Sequence, residues 1–135
     1  MKVVIDTNVF VSSLLNPAGS PRKVIDLWRF EKITLCLSKA ILEEYFELLD
    51  RFGLTEKPMG EQFLRLFQSR YNQIFVASPA AIKAVPEDPH DDKFIECAVA
   101  AKANVIVSGD GHLQKLKSFK SIPILSPAEF LKSFE

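Results

Sequence analysis

The chain has 135 residues, which is the usual size of one domain, so we expect a single core spanning residues 1–135. Its 17 basic and 17 acidic residues balance, which argues against binding nucleic acid through bulk positive charge but allows catalysis by metal ions at a phosphate. No apolar run approaches the roughly 20 residues of a membrane span, and the N-terminus lacks the layout of a signal peptide. We therefore expect a cytoplasmic protein without a membrane partner. Cys36 and Cys97 lie in apolar stretches, where reduced core thiols are expected.

Short apolar runs along the chain predict five strands, at residues 2–6, 33–37, 74–76, 105–107 and 122–125. Continuous apolar character of this kind is typical of strands covered on both faces, as in a parallel sheet. Pro123 has no backbone N–H group to donate, so we expect the last strand at an edge of the sheet.

Helical periodicity fills the segments between these strands. Apolar residues recur at three- and four-residue steps across residues 38–52, with Ser38 as the predicted N-cap and Gly53 as the stop. Further helices are predicted at residues 60–71, after Pro89, and from Ser126 onwards. Strands that alternate with helices indicate an α/β fold with a central parallel sheet of about five strands flanked by helices.

Two acidic residues follow predicted strands. Asp6 ends the first strand, and Asp110 lies three residues beyond Val107 at the end of the fourth. Because ligands of open parallel sheets bind beyond the carboxyl ends of the strands, the two carboxylates are expected to lie close together. Like charges at close range raise each other's pKa unless a cation is present, and Mg²⁺ prefers carboxylate oxygens. Taken singly, each aspartate is equally well explained as a turn residue.

Two further acids lie on predicted helices. Glu44 is at the border of the apolar stripe of its helix, where a solvated surface glutamate is the alternative. Asp91 lies three residues before Phe94 and continues the buried stripe by one turn, whereas Asp88 and Asp92 fall off that line. An acid on the inward face needs a partner, which a metal ion provides. Acids at a helix start also cap free N–H groups without binding any ligand.

The two histidines, His90 and His112, lie in polar turns and lack the spacing of a zinc pair. We expect exposed side chains, with contact between His112 and the acidic site as the alternative.

Taken together, these segments resemble a PIN domain, in particular the VapC-like nucleases of bacterial and archaeal toxin–antitoxin systems. The resemblance spans nearly the whole chain and rests on four segments in the expected order and spacing. They are residues 3–9 (VVIDTNV), 38–45 (SKAILEEY), 88–96 (DPHDDKFIE) and 103–110 (ANVIVSGD).

The resemblance implies a three-layer PIN-like fold whose acidic quartet provides the catalytic residues and metal ligands. The quartet falls on Asp6, Glu44, Asp91 and Asp110. Supporting polar groups fall on Asn8 and Ser108, and Asp92 leaves a one-residue ambiguity in the third acid. An acid often found two residues after the fourth is replaced here by His112.

The activity that the resemblance implies is Mg²⁺- or Mn²⁺-dependent endoribonuclease cleavage of RNA. Metal ions bridged by the carboxylates would lower the pKa of a water molecule and hold the scissile phosphate for in-line attack. The implied partners are the RNA substrate, a second copy of the chain and a separately encoded antitoxin protein.

Two alternatives compete with this hypothesis. One is a PIN-fold module that binds RNA or a partner without turnover. The other is a phosphatase of the haloacid-dehalogenase type, which also begins with a strand ending in Asp. That mechanism needs a second Asp two residues later as an acid, and here the position is Asn8, which cannot transfer a proton.

Overall fold

The computed structural model describes residues 1–134. The strands are β1 Lys2–Ile5, β2 Thr34–Ser38, β3 Gln73–Val76, β4 Val105–Val107, β5 Ser118–Phe119 and β6 Ile122–Leu125. The α-helices are α1 Thr7–Leu15, α2 Ser20–Arg29, α3 Lys39–Arg51, α4 Pro58–Gln68, α5 Asp92–Ala101, α6 Gly111–Leu116 and α7 Pro127–Phe134. Short 3₁₀ helices lie at Leu54–Glu56 and Pro89–Asp91.

These strands form one sheet in the order β3-β2-β1-β4-β6-β5. All neighbours are parallel except β5, which pairs antiparallel with β6. The predicted α/β fold with a central parallel sheet of about five strands is thereby confirmed, and the sheet has one further strand, the antiparallel β5, that was not predicted.

The middle of the sheet is where the strand order reverses. From β1 the chain proceeds outward to β2 and β3, and it then returns to place β4 on the other side of β1. Ile5 and Val107 are register partners, and the N–H of Asp6 donates to the Val107 carbonyl at 2.9 Å. Ligand sites of open α/β sheets lie at such a reversal, beyond the carboxyl ends of the strands.

Helices cover both faces of the sheet. The residues Val3, Val4 and Ile5 have no exposed surface, which requires cover on both sides of β1. Helix α5 packs against β1, β2, β3 and β4 on one side. An aromatic cluster packs on the other, with ring centroids 4.5–6.2 Å apart; its members are Phe10, Trp28, Tyr45, Phe63 and Phe67.

Cys36 and Cys97 are free and buried, as expected. Burial raises the pKa of the Cys36 thiol to about 11 and that of Cys97 to about 12, so both remain protonated core residues.

Helices α1, α2 and α6 were not predicted from the sequence. The segment of α1 contains Val9 and Val11 and buries residues around most of its circumference, so it lacks a single apolar stripe. Asp6 caps α1 by accepting a hydrogen bond from the Asn8 N–H at 3.3 Å. The turn role considered for Asp6 is therefore present, and it places the carboxyl group at the reversal point.

The predicted edge position of the last strand is wrong. Strand β6 lies between β4 and β5, and Pro123 is opposite Ser118 in the two-residue β5. The missing donor is tolerated because this pairing is very short, and Ile124 supplies a hydrogen bond to the Lys117 carbonyl at 2.9 Å. Within residues 1–134 no helix is both long and apolar enough to cross a membrane.

Candidate metal centre

Asp6 lies buried at the reversal point, with 2% of its surface exposed. Its Oδ2 accepts a hydrogen bond from the Ser108 hydroxyl at 2.7 Å, and the same hydroxyl oxygen accepts one from the Asp110 N–H at 2.9 Å. Ser108 thus ties the end of β1 to the turn after β4. Burial raises the pKa of Asp6, and the charges of Asp110 and Glu44 raise it further, against the opposing effect of the Ser108 hydrogen bond.

Next to Asp6, four side chains converge. Asp88, Asp91, Asp110 and His112 each offer one ligand atom, and these atoms all lie within 4.8 Å of one another. We call these four residues the acid–histidine cluster. Asp88 and Asp91 lie immediately before and at the end of the 3₁₀ helix Pro89–Asp91. Asp110 caps α6, and His112 lies in its first turn.

Asp91 is the most buried member of the cluster, with 8% of its surface exposed. Its Oδ2 is inaccessible to solvent and has no hydrogen-bond partner among the described residues. Burial and the neighbouring charge of Asp110 raise the pKa of Asp91 from 3.8 to about 8. A carboxyl group in this environment requires either a proton or a cation.

Asp110 is fixed by its capping role. Its Oδ1 accepts hydrogen bonds from the N–H groups of His112 at 2.8 Å and Leu113 at 3.1 Å. The same cap orients His112, whose Nδ1 lies 3.8 Å from Asp88 Oδ2 and 4.0 Å from Asp110 Oδ1.

The structure separates the adjacent aspartates 91 and 92. Asp92 Oδ1 accepts hydrogen bonds from the N–H groups of Ala84 at 3.0 Å and Val85 at 2.8 Å, so it anchors the preceding loop. Asp91 instead joins the acid–histidine cluster. Asp91 therefore lies in the cluster, whereas Asp92, the first residue of α5, contacts the preceding loop.

Glu44 lies outside the cluster. Its Oε2 forms an ion pair with Lys93 Nζ, and both side chains are largely buried, at 26% and 18% exposed. Its charge nevertheless raises the pKa of Asp6, so the two carboxyl groups are near one another. Of the four predicted acids, Asp91 and Asp110 therefore belong to the cluster, and Asp6 and Glu44 lie near it. The side chain of Asn8 is exposed, and the contact that it makes with Asp6 comes from its backbone N–H.

Asp88 was not predicted as a member of the site, because an α-helical period places it off the buried stripe that contains Asp91. Residues Pro89–Asp91 form a 3₁₀ helix, in which side chains three positions apart eclipse one another. Asp88 and Asp91 therefore share a face. The Asp88-Pro89 step, with a capping residue before a proline, was the available signal. Contact between His112 and the site, considered only as the alternative, is what the structure shows.

A groove of about 520 Å³ runs beside the site along α3 and the start of α5. Its walls carry both signs of charge; the charged lining residues are Glu43, Glu44, Glu47, Arg51 and Lys93. The ion pair between Glu44 and Lys93 forms part of the groove lining.

The donor set suits a divalent cation. Three carboxyl groups and one imidazole lie within the reach of a single ion, and one buried oxygen lacks a partner. Carboxylates bind Mg²⁺ and Mn²⁺, and imidazole nitrogen binds transition metals. Residues of the cluster together with Asp6 are therefore suited to hold such an ion.

Comparison with known proteins gives the same fold and family. A family model described as PIN domain matches residues 2–112, a range that contains Asp6, Glu44 and the whole acid–histidine cluster. The uncharacterized protein MJ1680 of Methanocaldococcus jannaschii is 34% identical over 146 aligned positions, which cover all of this chain and 92% of that protein. The crystal structure of VapBC2 from Rickettsia felis, bound to a DNA fragment from their promoter, contains a chain with a similar fold. The TM-score is 0.54 at 16% identity, covering 92% of this chain and 97% of the other. This chain therefore belongs to the PIN domain family, whose members are generally nucleases.

Proposed function

We propose that this chain is a divalent-cation-dependent endoribonuclease that cleaves RNA phosphodiester bonds. The observation that carries the proposal is the buried, unpartnered Oδ2 of Asp91, which belongs to a cluster of metal-ligating groups beside Asp6. A cluster of carboxyl groups within reach of one cation, at the reversal point of a parallel sheet, is expected of a metal-dependent hydrolase. Membership of the PIN domain family supports the same activity.

In this proposal the metal ligands, direct or through water, are Asp6, Glu44, Asp91 and Asp110. A bound Mg²⁺ or Mn²⁺ supplies positive charge to the scissile phosphate and lowers the pKa of a nearby water molecule. Ser108 holds the Asp6 carboxyl group in one orientation through its 2.7 Å hydrogen bond. Asn8 and Asp92 support the site through a backbone hydrogen bond and through the loop at residues 84–85.

Glu44 is the proposed proton acceptor. Its carboxylate is near Asp6 but outside the cluster, and it lines the groove, where it forms an ion pair with Lys93. When RNA enters, Lys93 turns to a phosphate oxygen and Glu44 takes the proton of the attacking water. The water oxygen bonds to phosphorus, the bond from phosphorus to the leaving oxygen breaks, and that oxygen takes up a proton from solvent water, while Glu44 later returns its proton to solvent.

RNA is the proposed substrate because of the family resemblance and the groove. Arg51 and Lys93 are the proposed contacts for phosphates; each is paired with a glutamate of the groove, which it would exchange for a phosphate, and the chain has no net charge. Binding therefore depends on the metal and a few local cations, and it is expected to weaken only modestly with salt.

The proposed setting is a cytoplasmic toxin of a toxin–antitoxin pair, folded as one domain over residues 1–135 and acting as a homodimer. The fold shared with a chain of the Rickettsia felis VapBC2 structure supports an antitoxin partner. Exposed apolar side chains at Leu15 and Phe52, 60% and 52% accessible, are available for protein contacts. Size-exclusion chromatography with light scattering tests the dimer.

Cleavage of a mixed pool of structured and single-stranded RNAs tests the activity. We expect cleavage with Mg²⁺ or Mn²⁺, none with EDTA, and a loss of at least about 100-fold in Asp6→Asn. Asp50→Asn is the matched control, because Asp50 is exposed near the end of α3. Cleavage that survives EDTA or Asp6→Asn would refute the mechanism. RNA binding without cleavage under all metal conditions would favour the binding-module alternative.

A further inference from the structure

We propose that His112 and Asp88 complete the metal site, and that the imidazole of His112 makes it prefer a first-row transition dication such as Mn²⁺ over Mg²⁺. This inference deepens the proposed function, because it takes the acid–histidine cluster to be the metal centre of that activity. It concerns which residues bind the ion and which ion they select.

The first observation is the environment of the His112 Nδ1 atom. The imidazole as a whole is 41% exposed, yet Nδ1 itself is buried and has no hydrogen-bond partner among the described residues. It faces carboxylate oxygens of Asp88 and Asp110 at 3.8 and 4.0 Å, too far for hydrogen bonds. A buried nitrogen that faces two carboxylates without bonding to either is positioned for a shared third partner.

The distances suit a shared ion. Donors bound to one ion at about 2.1 Å are about 3.0 Å apart when at right angles and about 4.2 Å apart when opposite. The two separations from Nδ1 fall within that range, and all four donor atoms of the cluster lie within 4.8 Å of one another.

The second, independent observation is Asp91. This side chain is more than nine-tenths buried, faces the same three groups and leaves Oδ2 without a partner. Two unpartnered buried atoms, one oxygen and one nitrogen, therefore belong to the same cluster. One cation bound between them would provide a partner for both atoms.

Local structure holds the donors in place. Asp110 fixes the backbone of His112 through the 2.8 Å hydrogen bond that begins α6. Asp88 accepts a hydrogen bond from the His90 N–H at 3.2 Å, and the 3₁₀ helix that follows brings Asp91 onto the same face. These caps orient the side chains before any ion binds, which lowers the entropic cost of binding.

The donor set decides the choice of ion. Mg²⁺ prefers oxygen ligands in a near-ideal octahedron, and imidazole nitrogen contributes little to its binding. Dications from Mn²⁺ onward in the first transition row accept mixed nitrogen and oxygen donors with rising affinity. Replacing an acid by histidine at position 112 therefore moves the site away from Mg²⁺.

The test is binding of the metal alone to the full chain, without RNA. Calorimetric titrations with Mn²⁺ and Mg²⁺ are compared for the wild type, His112→Ala and the control His90→Ala, which removes the other, exposed histidine. We expect Mn²⁺ to bind the wild type at least about 10-fold more tightly than Mg²⁺. His112→Ala should weaken Mn²⁺ binding about 10-fold and leave Mg²⁺ affinity within about twofold, whereas His90→Ala should leave both affinities within about twofold of the wild type.

Electron spin echo spectroscopy of bound Mn²⁺ gives a second readout. We expect a nitrogen coupling in the wild type and in His90→Ala. If His112→Ala fails to fold, the wild-type spectrum and His112→Asp decide the question, since the aspartate variant should lose the nitrogen coupling and shift its preference toward Mg²⁺. Absence of nitrogen coupling in the wild type, or equal Mn²⁺ affinity with and without the imidazole, would overturn the inference.

The two proposals fail in different ways. RNA cleavage that depends on Asp6 but proceeds with a metal bound only through oxygen would leave the nuclease proposal standing and refute the role of His112. Mn²⁺ bound through nitrogen in a protein that cleaves no RNA would support the role of His112 and refute the nuclease proposal.

Discussion

Substituting Asp91 by asparagine should stabilise the metal-free protein at neutral and alkaline pH. The pKa of Asp91 is raised from 3.8 to about 8 by burial and by Asp110. Because the folded pKa lies above the unfolded one, the protonated group favours the fold fully below about pH 4. That contribution is lost progressively as the pH rises from about 4 to about 8. Asparagine has nearly the same shape and carries no charge at any of these values.

The size of the effect follows from the same shift. Each pH unit between the two pKa values is worth about 1.4 kcal/mol, so a fully enclosed, isolated group would lose about 4 kcal/mol at pH 7. Asp88 and Asp110 are partly exposed and share the repulsion, which reduces the recoverable part to about 2–3 kcal/mol. A negative charge at the start of α5 also stabilises the helix, so removing it reduces the gain in the free energy of unfolding by about 0.5 kcal/mol. No capping hydrogen bond is lost, since the Asp91 side chain makes none.

The assay is thermal unfolding followed by circular dichroism between about pH 5 and about pH 8.5, in EDTA and with Mn²⁺. In EDTA near pH 8 we expect Asp91→Asn to melt about 6–10 °C above the wild type, with the difference shrinking toward pH 5. With Mn²⁺ the order should reverse, because only the wild type gains stability from the ion. The exposed control Asp50→Asn should follow the wild type throughout.

The reasoning would be refuted by an Asp91→Asn protein that is less stable than the wild type in EDTA near pH 8. It would equally be refuted by a pH-independent difference, or by Mn²⁺ stabilising the variant as much as the wild type.

Three further predictions concern the surroundings of the cluster. Ser108→Ala removes the hydroxyl that donates a hydrogen bond to Asp6. It should lower the free energy of unfolding by about 1–3 kcal/mol in urea titrations and weaken Mn²⁺ binding. Unchanged values for both would contradict the bridging role. Lys93→Met breaks the ion pair with Glu44 and removes a positive charge near the site. Calorimetry should therefore show several-fold tighter binding of Mn²⁺, and weaker binding would contradict this electrostatic explanation. Asp92→Ala leaves two backbone N–H groups without their hydrogen-bond acceptor. It should lower the free energy of unfolding in urea by about 1–3 kcal/mol. Because this side chain is not a proposed metal ligand, Mn²⁺ affinity should stay within about twofold, and a larger loss would contradict that assignment.

The part of the site that could be predicted from the sequence is the part set by sheet geometry. Asp6 and Asp110 follow apolar runs that had to be buried parallel strands, and parallel strands end at a common edge. Asp91 was placed by the α-helical stripe that it extends. These inferences need only local pattern and chain direction.

The remaining features depend on contacts between distant elements. Lys93 reaches Glu44 across the space between α5 and α3, a contact 49 residues apart in sequence that no local pattern marks. Asp88 joins the cluster because one turn is a 3₁₀ helix, and a short proline-initiated turn is compatible with several conformations. Helix α1 is buried around most of its circumference, so its periodicity carries little information.

The adjacency of β1 and β4 has a consequence for synthesis of the chain. Lys2 and Asn104 are joined by a 2.7 Å hydrogen bond, and Ser108 reaches Asp6 across 102 positions of sequence. A nascent chain therefore exposes β1 long before β4 emerges, and the segments that carry the proposed metal ligands meet only after residues 105–112 have also left the ribosome. Under the proposed function, a partly made chain lacks a complete metal centre and cannot cut the RNA around it.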